Sequence, residues 1–374
     1  IAYVLPTGEY ESGLVDWVDA VKTGQRPHGL VESTAVGEYL TPDRRGLPSH
    51  DGYARLEYNG TTKIAAAVEA SRGCRHRCRH CPIPVVYDGR LRVVGADAVL
   101  GDISNLAGDG VEHVTFGDAD FLNAPRHSLD ILREAHSRFP HLTYDVTVKV
   151  EHILRHRGIW PEMADLGLLF AISAFESVDE ETLTVLDKNH TVADMNQALD
   201  VLREAGIHVR PTWLPFLPFT SLGDLAGLVD YLDSHRLWPA IDPVQLSIKL
   251  LIPEGSLLER HPAVVDFLEG YDDEALTWRW RYADPAVEVL QKELQSIASE
   301  ASDCGEEALP TLGRMRTAIG AATGVNLAPY RPSESPVPRL TESWFCCAEP
   351  TVSQVSMIKF DSGIRQGPES QNDE

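Results

Sequence analysis

From Lys63 onward, short apolar runs alternate with longer segments in which apolar residues recur every three or four positions. That alternation is the pattern of βα units feeding a parallel sheet. Six strands are predicted, over 64–70, 113–117, 142–148, 168–174, 207–213 and 244–252. The helix between the fourth and fifth is the clearest. Val192, Met195, Leu199 and Leu202 form one apolar stripe, Thr191 and Asp194 have the spacing of a capping box, and Gly206 supplies the stop. Ser177 and Glu180 mark another helix start. Beyond Gly255 the pattern turns helical, and Pro285 opens a helix whose Val287, Leu290, Leu294 and Ile297 share a face.

Six βα units predict an α/β protein with a partial (βα)6 barrel, and ligands of parallel α/β barrels gather at the carboxyl ends of the strands. The predicted organisation is an N-terminal extension over 1–62, the barrel over 63–255, a helical C-terminal region over 256–324 and a tail over 325–374. The extension has scattered Gly, Pro and charge with weak periodicity, so little core of its own is expected. It is still able to cover an active site.

Composition narrows the function classes. The net charge of −23 over 374 residues works against nucleic-acid phosphates, which call for clustered Lys and Arg. Alternating Trp and Arg at Trp278-Arg279-Trp280-Arg281 is therefore expected to pack by one face rather than stack on bases. No apolar run approaches bilayer length, so no membrane partner is expected. The six cysteines do not resemble a disulfide scaffold: three cluster within eight residues and two are adjacent. Metal or redox chemistry in a reducing compartment follows, with the cytoplasm as the expected location. Cys304, near the end of a predicted helix, is expected to be a small buried cysteine.

The cluster reads Cys74-Arg-His-Arg-Cys78-Arg-His-Cys81, directly after the first strand. Thiolates favour Fe–S clusters or zinc. Structural zinc usually takes four protein ligands in two pairs, and here no second pair occurs before Cys346, although His76 or His80 could complete a Cys₃His set.

CxxxCxxC in this position, with His80 in the aromatic-like place before the last cysteine, resembles the signature of the radical S-adenosylmethionine (SAM) enzymes. The resemblance implies a [4Fe–4S] cluster held by Cys74, Cys78 and Cys81, with SAM on the fourth iron. It also implies a partial radical SAM barrel, and other segments resemble the family in the same order over about 63–255. Phe116 to Phe121 looks like the loop that meets the SAM amino group, which singles out Gly117 and Asp118. Ala174-Phe175-Glu176-Ser177, followed by Leu186 to Asn189, resembles the end of the fourth strand and its helix. Glu176 and Lys188 thereby become cofactor-binding candidates. Arg210 on the fifth strand and Ile252 on the sixth occupy places where the family contacts ribose, carboxylate and adenine. Asp118 as a turn or cap and Arg210 as the partner of a core carboxylate are the competing readings. The segment before the cluster is short for a cobalamin-binding domain, and no β-rich RNA-binding module follows the sixth strand. Cobalamin-dependent methyl transfer and tRNA thiomethylation are accordingly disfavoured.

Trp344-Phe345-Cys346-Cys347-Ala348-Glu349-Pro350 resembles the ending of the CUAEP/CCAEP-tail radical SAM proteins. Adjacent thiols do not easily form a relaxed disulfide with each other, but they can ligate a metal or attack an electrophile. Cys346 and Cys347 are thus expected to act on a small-molecule substrate or an intermediate. The resemblance implies reductive cleavage of SAM, fed by a flavodoxin- or ferredoxin-type electron donor. The alternative within the class is transfer of the 3-amino-3-carboxypropyl group of SAM to a thiophilic acceptor such as trivalent arsenic. From another class, the chain would be an Fe–S electron carrier or a zinc-binding module without turnover.

Overall fold

The computed structural model describes residues 4–25, 29–33, 37–273, 275–325, 327 and 337–341. Cys346, Cys347 and Glu349 lie outside the described residues.

The chain starts with β1 (Val4–Gly8), α1 (Tyr10–Lys22) and β2 (Gly29–Ser33), the two strands pairing in parallel across the helix. Next, β3 (Arg55–Tyr58) turns through Asn59-Gly60 into β4 (Thr61–Val68) as an antiparallel hairpin. Asn59 and Gly60 have φ of 51° and 72°, the left-handed pair that two-residue hairpins require. A small unit follows, made of β5 (Ser71–Gly73), α2 (Ile83–Tyr87) and β6 (Leu91–Val93).

The βα alternation then runs through α3 (Ala96–Gly108), β7 (His113–Phe116), α4 (Pro125–Arg138), β8 (Thr143–Thr147), α5 (Val150–Arg155) and α6 (Trp160–Asp165). It continues with β9 (Leu168–Glu176), α7 (Glu180–Val185), α8 (Val192–Glu204), β10 (His208–Trp213) and α9 (Leu222–His235). The last part comprises α10 (Pro262–Val265), the antiparallel pair β11 (Leu268–Asp272) and β12 (Thr277–Trp280), the helices α11 (Pro285–Cys304) and α12 (Ala308–Thr323), and β13 (Arg339–Leu340).

One seven-stranded sheet in the order β10-β9-β8-β7-β4-β3-β13 forms a curled half-barrel. From β4 to β10 the neighbours are parallel and follow one another in sequence, as the hydrophobic pattern predicts. The sheet has two faces because strand side chains alternate. Val68, Val114, Phe116, Tyr144, Val146 and Ala171 join the helices in the core. The other set faces the concave side, where His113 stacks on Phe170 with ring centroids 5.8 Å apart.

Three expectations are corrected. The sixth strand over 244–252 does not form: Pro243–Ser247 is a 3₁₀ turn, and the segment's parallel contact is a single bridge between Phe216 and Lys249. Pro243 has no N–H for a ladder and its fixed φ suits a helical turn. A short apolar run alone does not separate the two outcomes. The sheet instead widens at the other side, where β3 from the N-terminal segment and β13 from the C-terminal one add antiparallel strands. Helix α7 is capped by Asp179, whose Oδ2 accepts from Thr182 N at 2.7 Å, with Ser177 two residues earlier bonded to Asp179 N. Cys304 is exposed rather than buried. The Trp-Arg alternation is a strand: Trp280 is buried and its Nε1 donates to Leu250 O, while Arg279 and Arg281 are exposed.

Candidate active site

The cysteine loop leaves the carboxyl end of β4 and is closed at its base by β5 and β6. Gly73, at φ +76°, stands opposite Leu91 there, and a Cβ on it would meet Arg90 O at 2.4 Å and the Tyr87 ring at 2.7 Å. Any other residue would push the hairpin open just before Cys74. Asp118, at the end of β7, fixes the same base from the other side. Its carboxylate accepts from Ala70 N at 2.9 Å and from Ser71 Oγ at 2.5 Å. Burial raises the Asp118 pKa to about 6, against the pull of those two donors. The structure thus gives Asp118 the turn-holding contacts of its competing reading. Beside it, Gly117 N donates to Val68 O at 2.8 Å, joining the ends of the two strands.

Cys74, Cys78 and Cys81 form no disulfide, and the first two are buried. Each buried sulfur has a nitrogen donor at hand: Asn123 Nδ2 at 3.4 Å from Cys74 Sγ, and Lys149 Nζ at 3.5 Å from Cys78 Sγ. Burial pushes the Cys74 thiol up, with Asn123 opposing. Coordination to iron would deprotonate it, and donors to the sulfurs are then stabilising. Three soft ligands on one loop, with donors aimed at two of them, fit a [4Fe–4S] cluster with an iron left open.

Next to the loop, His80, Glu176 and Lys188 meet. His80 Nε2 and Lys188 Nζ each lie 3.1 Å from Glu176 Oε1, and all three residues are buried. Burial opposes ionisation of Glu176, but Lys188 and His80 together outweigh it and hold the carboxyl well below its usual range. Glu176 closes β9 at φ +66°, beside a bulge where Trp213 rather than the next-in-register residue pairs with it. A non-glycine residue held there costs about 1–3 kcal/mol, a strain that concentrates at functional positions.

The other expected residues are placed elsewhere. Arg210 faces the concave side, and its Nη2 is paired with Asp242 Oδ2 at 2.7 Å while Nη1 reaches Pro338 O at 3.1 Å. Its guanidinium has the core carboxylate of its competing reading. Ile252 is fully buried, with its N–H accepted by Thr277 Oγ1 and its carbonyl taken by Trp278 N.

Several residues were not anticipated. Asn123 and the sulfur contact of Lys149 follow β7 and β8, at the end of the sheet where ligands gather, and that position was the available signal. On the concave wall, Asp145 Oδ2 accepts from Thr115 Oγ1 at 2.6 Å and lies 2.9 Å from His113 Nε2, while its buried Oδ1 has no partner. A cleft of about 710 Å³ runs beside β4, bordered by Arg44, Tyr53, Ala67, Thr115 and Gly117. The neighbouring cleft, about 890 Å³, lies under the N-terminal unit. Glu9 of that unit takes the hydroxyls of Tyr39 at 2.5 Å and Tyr87 at 3.1 Å, and Glu11 pairs with Arg72 of the loop base.

Residues 68–232 match the model of the Radical SAM superfamily. The match to this superfamily and to a methylase indicates an enzyme, and a [4Fe–4S] cluster and SAM are the cofactors of that superfamily. A curated relative, the hopanoid C-3 methylase of Methylococcus capsulatus, is 26% identical over 165 residues, covering 44% of this chain and 32% of the relative. Among solved structures, the cobalamin-dependent SAM radical enzyme OxsB, with aqua-cobalamin and SAM bound, aligns at a TM-score of 0.61 and 15% identity. That alignment covers 85% of this chain and 55% of OxsB. The radical SAM methyltransferase TsrM from Kitasatospora setae, with cobalamin and a [4Fe–4S] cluster bound, aligns at 0.50 and 17%, covering 61% and 50%. At these identities the structural likeness is one of fold. The chain spans about a third of the curated relative it matches. No helix among the described residues is long and apolar enough to cross a membrane.

Proposed function

We propose that this chain cleaves SAM reductively and uses the resulting radical to modify a small-molecule substrate held on the concave face of the half-barrel. The observation that carries the reading is the meeting of two elements: the three-thiol loop with its sulfur donors, and the His80–Glu176–Lys188 network adjoining Cys81. When bound, the cluster and SAM supply an electron to the sulfonium and a carbon-centred radical that abstracts hydrogen from the substrate. Cys74, Cys78 and Cys81 hold three irons. Glu176, kept anionic by its two cationic or donor partners, is suited to an amine or ribose hydroxyl of SAM, with Gly117 leaving the approach open. Thr115 borders the cleft beside β4 and donates to the fully buried Asp145, which is in turn paired with His113. A flavodoxin- or ferredoxin-type protein supplies the electron.

The tail thiols belong to the same reading. β13 runs antiparallel to β3 and hence in the direction of β4, toward the cysteine loop, and Thr341 N donates to Arg55 O at 2.8 Å. Arg55 is level with Ile64, four residues from the end of β4. Five further residues reach Cys346, a span of up to about 17 Å when extended. Cys346 and Cys347 therefore have the reach to act on a substrate or intermediate at the mouth.

The test is to reduce the reconstituted protein anaerobically with SAM and identify the fragments by mass spectrometry. Methionine and 5′-deoxyadenosine support the reading. A 3-amino-3-carboxypropyl product, or methyl transfer of the kind for which the hopanoid methylase and TsrM are named, replaces it; absence of any SAM cleavage removes it.

A further inference from the structure

We infer that His76, Asp120 and His152 form a site for one divalent transition-metal ion of the zinc or ferrous type, separate from the cluster cysteines. The three side chains converge from the loop between Cys74 and Cys78, the connection after β7 and helix α5, and their ligand atoms lie within 4.8 Å of one another. His152 Nδ1 is 2.8 Å from Asp120 Oδ2, and His76 Nε2 is 3.9 Å from the same oxygen. With metal–ligand bonds of about 2.0–2.2 Å, neighbouring donors stand about 3.0–3.4 Å apart, so an ion enters as the 3.9 Å pair closes by about half an ångström and the widest pair, at most 4.8 Å apart, by up to about 1.4 Å.

The state of the donors is the second observation. Neither His152 Nδ1 nor His76 Nε2 makes a hydrogen bond, although both atoms are shielded from solvent. His152 is 5% exposed, and its Nδ1 sits within range of Asp120 without hydrogen-bonding geometry. A buried ring nitrogen left unpaired has lost its water without a replacement partner, which is destabilising. One ion between the three groups satisfies both nitrogens and the carboxylate together. Asp120 Oδ1 is committed to Leu122 N at 3.0 Å, whereas Oδ2 has a long 3.4 Å contact from Lys149 N besides the imidazoles. His76 Nδ1 faces Glu151 Oε2 at 3.8 Å, the outer-shell arrangement that orients an imidazole ligand.

Two imidazoles and one carboxylate suit zinc, iron or cobalt better than calcium or magnesium, which prefer all-oxygen sets. The ammonium of Lys149, directed to Cys78, opposes a dication, and the carboxylates of Asp120 and Glu151 beside the two ring nitrogens of His76 offset it. An ion here ties the Cys74–Cys78 loop to the ends of β7 and β8.

The test uses cluster-loaded protein carrying Cys346→Ser and Cys347→Ser, so that the tail thiols take no metal. It is incubated with zinc chloride and desalted, and iron and zinc are counted by plasma mass spectrometry while cluster absorbance is followed. The expected result is one zinc per chain beyond the cluster iron, reduced at least tenfold by His152→Gln and by Asp120→Asn with the absorbance retained. Asp120→Asn preserves the acceptor for Leu122 N, so it decides the matter if His152→Gln does not fold. No zinc on the parent protein overturns the inference. So does zinc that both variants retain, or zinc gained only as iron is lost.

Discussion

Lys188 Nζ donates to Glu176 Oε1 at 3.1 Å, with the two side chains 3% and 8% exposed. The backbone is bent to make the pair: Glu176, Asp187 and Asn189 all have positive φ, so the residues flanking Lys188 turn it back toward the end of β9. Such an arrangement persists only where the surroundings over-determine it.

Glu176→Gln is expected to lower stability by about 2–3 kcal/mol near neutral pH, the usual worth of hydrogen bonds to a charged group. The folded-state pKa of Glu176 is depressed, so its contribution is present above the unfolded carboxyl value of about 4.3 and is lost as pH falls through the lower folded value. Urea midpoints of the two proteins should therefore draw together as the medium is acidified; a gap independent of pH counts against the charged pair. SAM binding, followed through the electron paramagnetic resonance spectrum of the cluster, should weaken in the same variant while iron content stays constant.

Replacing Cys74, Cys78 and Cys81 together by Ala should remove about four irons per chain, the content of one [4Fe–4S] cluster. Iron analysis of anaerobically reconstituted protein checks this. Retention of the cluster by the triple variant would place it elsewhere.

Lys149→Met removes a positive charge and a donor 3.5 Å from Cys78 Sγ. Both changes favour the oxidised cluster, so its reduction potential should fall by tens of millivolts, where about 59 mV is a decade for one electron. Lys149→Arg should recover most of the shift in a potentiometric titration.

The double substitution Cys346→Ser, Cys347→Ser should leave reductive SAM cleavage without substrate within about twofold of the parent and abolish product formation with substrate. Product formed at the parent rate would exclude the tail thiols from the chemistry.

The five parallel strands were legible because each is a short apolar run bounded by helical periodicity, and the capping box of α8 is present as Thr191 and Asp194 imply. Pairings across the chain were not legible. β13 is two residues long, and Arg55 N meets Thr341 Oγ1 across 286 positions, which no local pattern reports. At the site, spacing made the three cysteines stand out, and the family resemblance singled out His80, Glu176 and Lys188 one by one, without their meeting. The sulfur donors Asn123 and Lys149 are single polar residues in loops, and their meaning appears only when the loop ends meet. Asp118 and Arg210 were each open to two readings, since a carboxylate after a strand or an arginine on one has no signature of its partner.

The pairing of β13 with β3 also sets an order of assembly. The loop carrying Cys74, Cys78 and Cys81 can form once β4, β7 and their neighbours have left the ribosome, but the strand that covers β3 is made some 280 residues later. During that interval β3 presents an unpaired edge of the kind that recruits other strands, and closing so long a loop is slow. Synthesis therefore passes through a stage in which the cluster-binding loop exists while the sheet beside it is unfinished, and the docking of residues 337–341 removes the hazard.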